Sequence, residues 1–322
     1  MEETSVQVVE ASDISTEEIE EMFRELDETI SEPNPVEEAR ESLEQAISEV
    51  EAIRTVPATH EKLKRAIIKA VKEAPIIPPN SPSLLVSEST SRFSSAIWYD
   101  AVRTKSILLA GVGGIGSYVA FLLSRMNPES ITIYDPDIVE TVNMSGQLYC
   151  KEDVGFNKVD RVAEMMLKYS NYYKVISIPE RFDYSCSSRD IMICGFDNME
   201  ARRIFFYNWL QHVSGMPTKE KKKCLFIDGR LAAEELQIFC ITGDDEYHKK
   251  IYENQHLFSD GEADATVCSY KQTSHCANMI GSLIVNLFVN FVANECEPLI
   301  PRDLPFLTSY DAERMFFKTE II

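Results

Sequence analysis

The sequence predicts an α/β fold, a doubly wound, mostly parallel sheet with crossover helices, preceded by a small acidic helical region. Three observations lead there. From residue 92 onward, short apolar runs of strand length alternate with helical segments, the pattern of parallel strands joined by crossovers. The first run meets its helix through a glycine-rich turn, Gly111-Val112-Gly113-Gly114-Ile115-Gly116. Ahead of these runs the acids are concentrated: residues 1–51 hold 18 Asp and Glu against only Arg24 and Arg40, so this stretch carries all but four of the net charge of −20.

In chain order, Ser15 stands three before Glu18, a capping-box spacing, and Ile19, Met22, Phe23, Leu26 and Ile30 share one helical face. The same period recurs in Val36, Ala39, Leu43, Ala46, Ile47 and Val50 after Pro35, and in Leu63, Ala66, Ile67, Ala70 and Val71 after Pro57. Residues 1–74 therefore read as helical. The stretch 75–91, with four Pro and five Ser, disfavours helix and reads as a linker, leaving 92–322 as the α/β domain. Its predicted strands are Ser106–Ala110, Ile131–Tyr134, Val175–Ile178, Ile191–Cys194, Leu225–Asp228 and Glu235–Thr242, with a final strand pair over 306–319. Helices are predicted near 114–126, 157–170 and 199–213, and the polar stretch 243–266 reads as a long loop. Residues 272–294 contain no Asp, Glu, Lys or Arg, yet Asn278, Ser282, Asn286, Asn290 and Asn294 recur every four residues. On a helix they form a polar band opposite Met279, Ile280, Leu283, Leu287 and Phe291, which predicts a buried core helix rather than a membrane span.

Composition excludes some roles. With no basic stripe, the nearly neutral body lacks the clustered Lys and Arg that displace counterions from a nucleic-acid backbone. The eight cysteines include no C-x-x-C pair, and the start of the chain lacks a basic-then-apolar leader, so a reduced, cytoplasmic protein without structural zinc is expected.

Glycines at a strand-to-helix turn let a phosphate approach backbone amides and a helix N-terminus, which makes Gly111, Gly113, Gly114 and Gly116 candidate phosphate-binding residues. Asp135 ends the next strand, 19 residues past Gly116, where an acid would bond ribose hydroxyls. To this point a nicotinamide dehydrogenase and an enzyme of nucleoside triphosphates look alike. The discriminating residues follow. Lys158, in Val154-Gly155-Phe156-Asn157-Lys158, could meet phosphate, and Asp197-Asn198 at the end of the strand Ile191–Cys194 could meet a metal. Each also has a plainer reading, Lys158 as a solvated helix charge and Asp197-Asn198 as a helix cap.

The order glycine loop, Asp135-x-Asp137, Asn143-x-x-x-Gln147, Val154-Gly155-x-x-Lys158 and Asp197-Asn198 resembles the ThiF/MoeB adenylyltransferases, relatives of the ubiquitin-activating enzymes. Tyr310-Asp311-Ala312 before the last strand, and a Cys ahead of the last long helix, are similar too. The resemblance spans roughly residues 92–322 and implies a Rossmann-like adenylation domain. It implies that Gly114 lies near the phosphates, Asp135 holds the ribose, Asn143 and Gln147 line the nucleotide pocket, Lys158 contacts phosphate, and Asp197, with Asn198 beside it, holds Mg²⁺ through ATP. The implied reaction activates the C-terminal carboxylate of a small ubiquitin-like or sulfur-carrier protein ending in Gly and releases pyrophosphate, and the implied assembly is a homodimer. Cys268 stands where some relatives form a thioester or persulfide, with Lys271 and His275 near in sequence. Cys276 reads as core.

The chain departs from this pattern at Gly146, where the family commonly carries Arg, a phosphate donor that Gly cannot replace. Arg92, in Arg92-Phe93, resembles an arginine that reaches the partner subunit's site in relatives and is the leading substitute. Arg202 matches another family position, with a structural role as the alternative. His248 and His256 read as surface residues rather than ligands. Gly146 also keeps open a second possibility, a nucleotide-binding interaction or regulatory protein without efficient adenylation. In either case the acidic helices read as a docking or regulatory element.

Overall fold

A computed structural model describes residues 90, 92–258 and 272–320. The acidic helices, the linker up to residue 89, and both Cys268 and Lys271 lie outside the described residues.

A short helix α1 (Tyr99–Val102) leads into β1 (Ser106–Ala110), α2 (Gly114–Ser124) and β2 (Ser130–Tyr134). Two 3₁₀ turns (Thr141–Ser145 and Lys151–Asp153) precede α3 (Lys158–Ser170), β3 (Val175–Ile178), β4 (Ile191–Cys194), α4 (Met199–Ser214) and a single turn α5 (Thr218–Lys221). Then come β5 (Leu225–Ala232), β6 (Glu235–Thr242), α6 (Glu246–Ile251) with a π turn (Tyr252–His256), α7 (Ser274–Glu295), β7 (Leu307–Asp311) and β8 (Phe316–Glu320). One eight-stranded sheet results, in the order β3-β2-β1-β4-β5-β6-β7-β8. The strands from β3 to β5 pair in parallel, and β5 to β8 continue as an antiparallel meander.

The central parallel strands β1 and β4 are almost wholly apolar because both of their faces are covered. Along β1, Ile107 and Leu109 join the core beneath α2, α3 and α7, whereas Leu108 and Ala110 join the core beneath α4. β4 divides in the same way, with Ile191 and Ile193 on the first side and Met192 and Cys194 on the second. Register places Ala110 between Tyr134 and Cys194, so three strands end level at one edge. The reversal of strand order falls between β1 and β4, and ligand crevices of such sheets open there.

Helix α7 is long and apolar enough to cross a membrane, but 67% of its most apolar window is buried within the protein. It packs along α2 and across β5 and β6. Asn278, Ser282 and Asn286 of its polar band are exposed, and Asn290 and Asn294 bond the loop that follows the helix. Cys276 is buried, as expected.

Three expectations need correction. β5 runs four residues past Asp228 and turns into β6 through Ala233, whose φ is +55°. The stretch 243–266 is not all loop, because Asp245 accepts the His248 backbone N–H at 2.9 Å and starts α6. Tyr252 then anchors the π turn, fully buried among Phe206, Phe226 and Phe239. Nor are the two histidines surface residues. His248 is buried and stacks on Phe306 at 4.5 Å, and half-buried His256 lies 4.5 Å from the Phe239 ring. Polar composition concealed both a helix cap and the aromatic surface that receives these rings.

Candidate functional site: a glycine turn at the carboxyl edge of the sheet

The turn between β1 and α2 is built by close approach. Gly111 has a φ of +80°, and a Cβ there would lie 2.8 Å from the Gly195 carbonyl oxygen. At Gly116 a Cβ would collide with the carbonyl oxygen of Gly111. Backbone bonds tie the turn to both neighbours, Gly111 N–H to the Tyr134 carbonyl at 2.8 Å and Gly195 N–H to that of Ala110 at 2.9 Å. Gly113, at the N-cap of α2, supplies no side-chain cap, so first-turn amides stay available to an anion.

Asp135 leaves the end of β2 and is only 5% exposed. Its carboxylate accepts the Val112 N–H at 2.8 Å and the Asp137 N–H at 2.9 Å, so it holds the glycine turn against β2. The Tyr149 hydroxyl braces the same residue, donating to the Val112 carbonyl at 2.6 Å. Burial raises the Asp135 pKa above the ordinary carboxylate value, opposed by these amides and by Lys158. Lys158 opens α3 and is itself 6% exposed. Its Nζ meets Asp137 Oδ2 at 2.9 Å, and its N–H donates to the Asp137 carbonyl at the same distance. The plainer reading of a solvated helix charge is therefore wrong for Lys158.

The 3₁₀ turn Thr141–Ser145 forms the next wall. Asn143 Oδ1 accepts the Glu140 N–H at 2.8 Å, fixing a turn that delivers Gln147 onto the glycine loop. The Gln147 side chain lies 3.7 Å from where a Gly113 Cβ would be, and its Oε1 is buried with no hydrogen-bond partner. Gly146 is buried beside it, and a Cβ there would stand 3.0 Å from Cγ and Nε2 of Gln272. Gln272 thus takes up volume adjoining residue 146.

Asp197 and Asn198 are exposed beyond the end of β4. Asn198 does cap α4: its Oδ1 accepts the Ala201 N–H at 2.8 Å, and its Nδ2 donates to Asp197 Oδ1 at 3.2 Å. Arg202 turns inward instead, bonding the fully buried Asp228 and the carbonyls of Gly229 and Phe196. Arg230 Nε at 2.7 Å and the Tyr252 hydroxyl at 2.8 Å complete the cage around Asp228. Burial alone would push Asp228 up; Arg202 and then Arg230 overcome it and hold its pKa below the ordinary carboxylate value.

The fold thus gathers Gly111, Gly113, Gly114, Gly116, Asp135, Asn143, Gln147 and Lys158 at one edge, with Asp197 and Asn198 at the end of a neighbouring parallel strand. It does not bring in Arg92, which is exposed ahead of α1 and, among the described residues, makes no hydrogen bond or ion pair with this cluster. His275 is also exposed, 3.8 Å from Glu234. Among the described residues no group of three or more metal-ligating side chains occurs. Sequence reasoning missed three participants. Asp137 was visible within Asp135-Pro136-Asp137 as a partner for Lys158, whereas Tyr149 and Gln272 belong to no motif and only the fold brings them here.

The residues present suit a nucleotide. They offer a turn too tight for any side chain, uncapped helix amides, a buried cation and an orphaned buried carbonyl for a donor such as a ribose hydroxyl or an adenine amine. Fold and site together define a nucleotide-binding protein of the doubly wound class, with a Rossmann-like core. The chain belongs to the ThiF family, whose profile matches residues 88–320. It is 26% identical over 182 residues to ubiquitin-like modifier-activating enzyme 5 of Drosophila pseudoobscura pseudoobscura, covering 49% of this chain and 45% of that protein. The enzyme of the same name from Bombyx mori is 26% identical over 179 residues, covering 50% and 44%. The chain therefore spans less than half the length of these curated relatives. Among solved structures, PaaA superposes with a TM-score of 0.58 at 15% identity over 91% of both chains. E. coli MccB, solved with AMPCPP and MccA, superposes with a TM-score of 0.53 at 15% identity, over 84% of this chain and 80% of that one. These two likenesses concern the fold.

Proposed function

We propose that this protein is an ATP-dependent adenylyltransferase that activates the C-terminal carboxylate of a small ubiquitin-like or sulfur-carrier protein. A carboxylate oxygen bonds to the α-phosphorus of ATP, the bond from that phosphorus to the bridging oxygen breaks, and pyrophosphate leaves with the electron pair. Charge grows on the leaving oxygens, so positive partners must already be in place. Lys158 is the residue we assign to that task. The observation that carries the proposal is its burial at 6% exposure, paired with the exposed carboxylate of Asp137 and within electrostatic reach of buried Asp135, whose carboxylate holds the glycine turn.

In this assignment Asp135 and Gln147 orient the ribose and base, Asn143 holds Gln147 in place, and Asp197 contributes one ligand to a magnesium ion whose other ligands are phosphate oxygens and water. Asn198 shapes that corner by capping α4. The names of the curated relatives support a ubiquitin-like modifier as the carboxylate donor. Cys268 as an acyl or sulfur acceptor, Arg92 reaching across a homodimer, and a reducing cytoplasmic setting belong to the same proposal.

The test is exchange of radiolabelled pyrophosphate into ATP by the full chain, with small proteins ending in Gly-Gly as candidate carriers. Exchange that depends on one carrier is expected. Absence of exchange with every carrier, alongside calorimetric ATP binding, would favour the second reading, a nucleotide-binding regulatory protein. That reading is motivated by Gly146, which stands where the family commonly carries a phosphate-binding Arg.

A further inference from the structure

Gln272 is the residue at this edge that no motif predicts, and it has an unusual position. Its carboxamide lies against two glycines that are distant in sequence. A Cβ on Gly114 would collide with its Oε1 and stand 2.7 Å from Cδ and Nε2, and a Cβ on Gly146 would stand 3.0 Å from Cγ and Nε2. Gln272 is held from behind, paired through a parallel bridge with Ala233, immediately before α7. Yet no hydrogen bond among the described residues engages its carboxamide. A half-buried amide that packs against the glycine turn without a protein bond has donors and acceptors free to meet a ligand there.

The second observation is Gln147, which flanks the same turn with its Oε1 buried and unpaired. Two carboxamides therefore meet the loop, Gln147 beside Gly113 and Gln272 against Gly114. Their unmet needs are complementary. The buried oxygen of Gln147 requires a donor, which a nucleoside supplies from ribose or base. Phosphate oxygens accept only, and the Gln272 amide can present Nε2–H to them, a half-turn about its last torsion exchanging nitrogen and oxygen at little cost.

We propose that Gln272 is a phosphate-binding residue, donating from Nε2 to the nucleotide's phosphates from the volume that a side chain at position 146 would otherwise fill. This rests on the nucleotide site proposed above. It assigns the phosphates a neutral donor in addition to Lys158.

Calorimetric titration of the full chain with Mg·ATP and, separately, with adenosine tests it. Gln272→Ala should weaken ATP about 3- to 10-fold, the loss of one hydrogen bond, and leave adenosine unchanged. Gln272→Glu keeps shape and fold but turns a carboxylate toward phosphate, so ATP should weaken more than 10-fold, again without effect on adenosine. Gly146→Arg should tighten ATP when combined with Gln272→Ala and do so less in the native background, because the two side chains compete for one space. Unchanged or tighter ATP binding by Gln272→Ala would make the residue a bystander or a plug and overturn the inference, as would an indifferent Gln272→Glu. Should the native protein bind neither ATP nor adenosine, the nucleotide site itself is refuted, and this inference with it. A native protein that binds both, with indifferent Gln272 variants, refutes only the role of Gln272.

Discussion

Two charged clusters sit at the carboxyl edge of this sheet and are built on opposite plans. Around Asp228 every partner is internal: two arginines and a tyrosine hydroxyl surround a carboxylate with no exposed surface. Around Lys158 the lysine is as buried as Arg202, but its partner Asp137 has a side chain 60% exposed. A closed cluster has no need that a ligand could meet, so its work is structural. The open cluster pairs a desolvated cation with a carboxylate that water already serves, and a phosphate can compete for that cation. The comparison also divides the family-like positions, placing Arg202 in the framework and leaving Lys158 as the residue proposed for chemistry.

The largest effects should come from breaking the closed cluster. Arg202→Ala leaves Asp228 buried with one arginine instead of two and should cost about 3–5 kcal/mol in denaturant unfolding. The same variant should be more acid-sensitive. Asp228 is held below its unfolded pKa, so its contribution is present above about pH 4 and is lost as pH falls through the folded value. With Arg202 removed, the acid unfolding midpoint should move to higher pH. Equal midpoints in the two proteins would show that the cage does not control Asp228.

Breaking the open cluster should do the reverse. Lys158→Ala is expected to lower pyrophosphate exchange about 10²- to 10³-fold, equivalent to ~3–4 kcal/mol of transition-state stabilisation. Unfolding should change by no more than about 1 kcal/mol, because the lost ion pair reaches an exposed partner. A variant that loses stability as Arg202→Ala does, while keeping exchange, would erase the distinction. Tyr252→Phe is smaller again. It keeps the ring among its aromatic neighbours and removes one hydrogen bond to a buried charge, for about 1.5–3 kcal/mol.

How far the sequence showed these clusters depended on the range of the interactions. Local periodicity carries strands whose two faces are both buried, which is why Ser106–Ala110 and Ile191–Cys194 were legible as uninterrupted apolar runs. It also carries the polar band of α7. The glycine turn was legible because its requirement is steric and sequential: Gly111 and Gly116 meet within six residues. Asp228 looked like nothing more than a strand end, since its partners come from α4, β5 and the π turn, and no spacing records that convergence. Gln272 is the extreme case, a lone glutamine brought against Gly114 and Gly146 from more than a hundred residues away. The histidines of the stretch 243–266 were misjudged for a related reason: a polar run hides the one or two side chains that a distant aromatic surface will bury.

The smallest prediction tests how far the closed cluster reaches. Arg230 does more than clamp Asp228: its guanidinium lies over the Phe239 ring at 4.6 Å and donates to the His256 carbonyl at 2.9 Å, which draws the π turn onto the sheet. Burial, and then the Arg230 charge, lower the His256 pKa below its ordinary 6.5, with Glu320 and Asp228 acting weakly the other way. A histidine depressed in the folded state contributes stability above pH 6.5 and loses it as pH falls through its folded value. An NMR titration of the ring should therefore give a midpoint below 6.5, and His256→Gln should flatten the fall in stability between about pH 7 and pH 5. A midpoint at 6.5 would mean that neither burial nor the Arg230 charge acts on this ring.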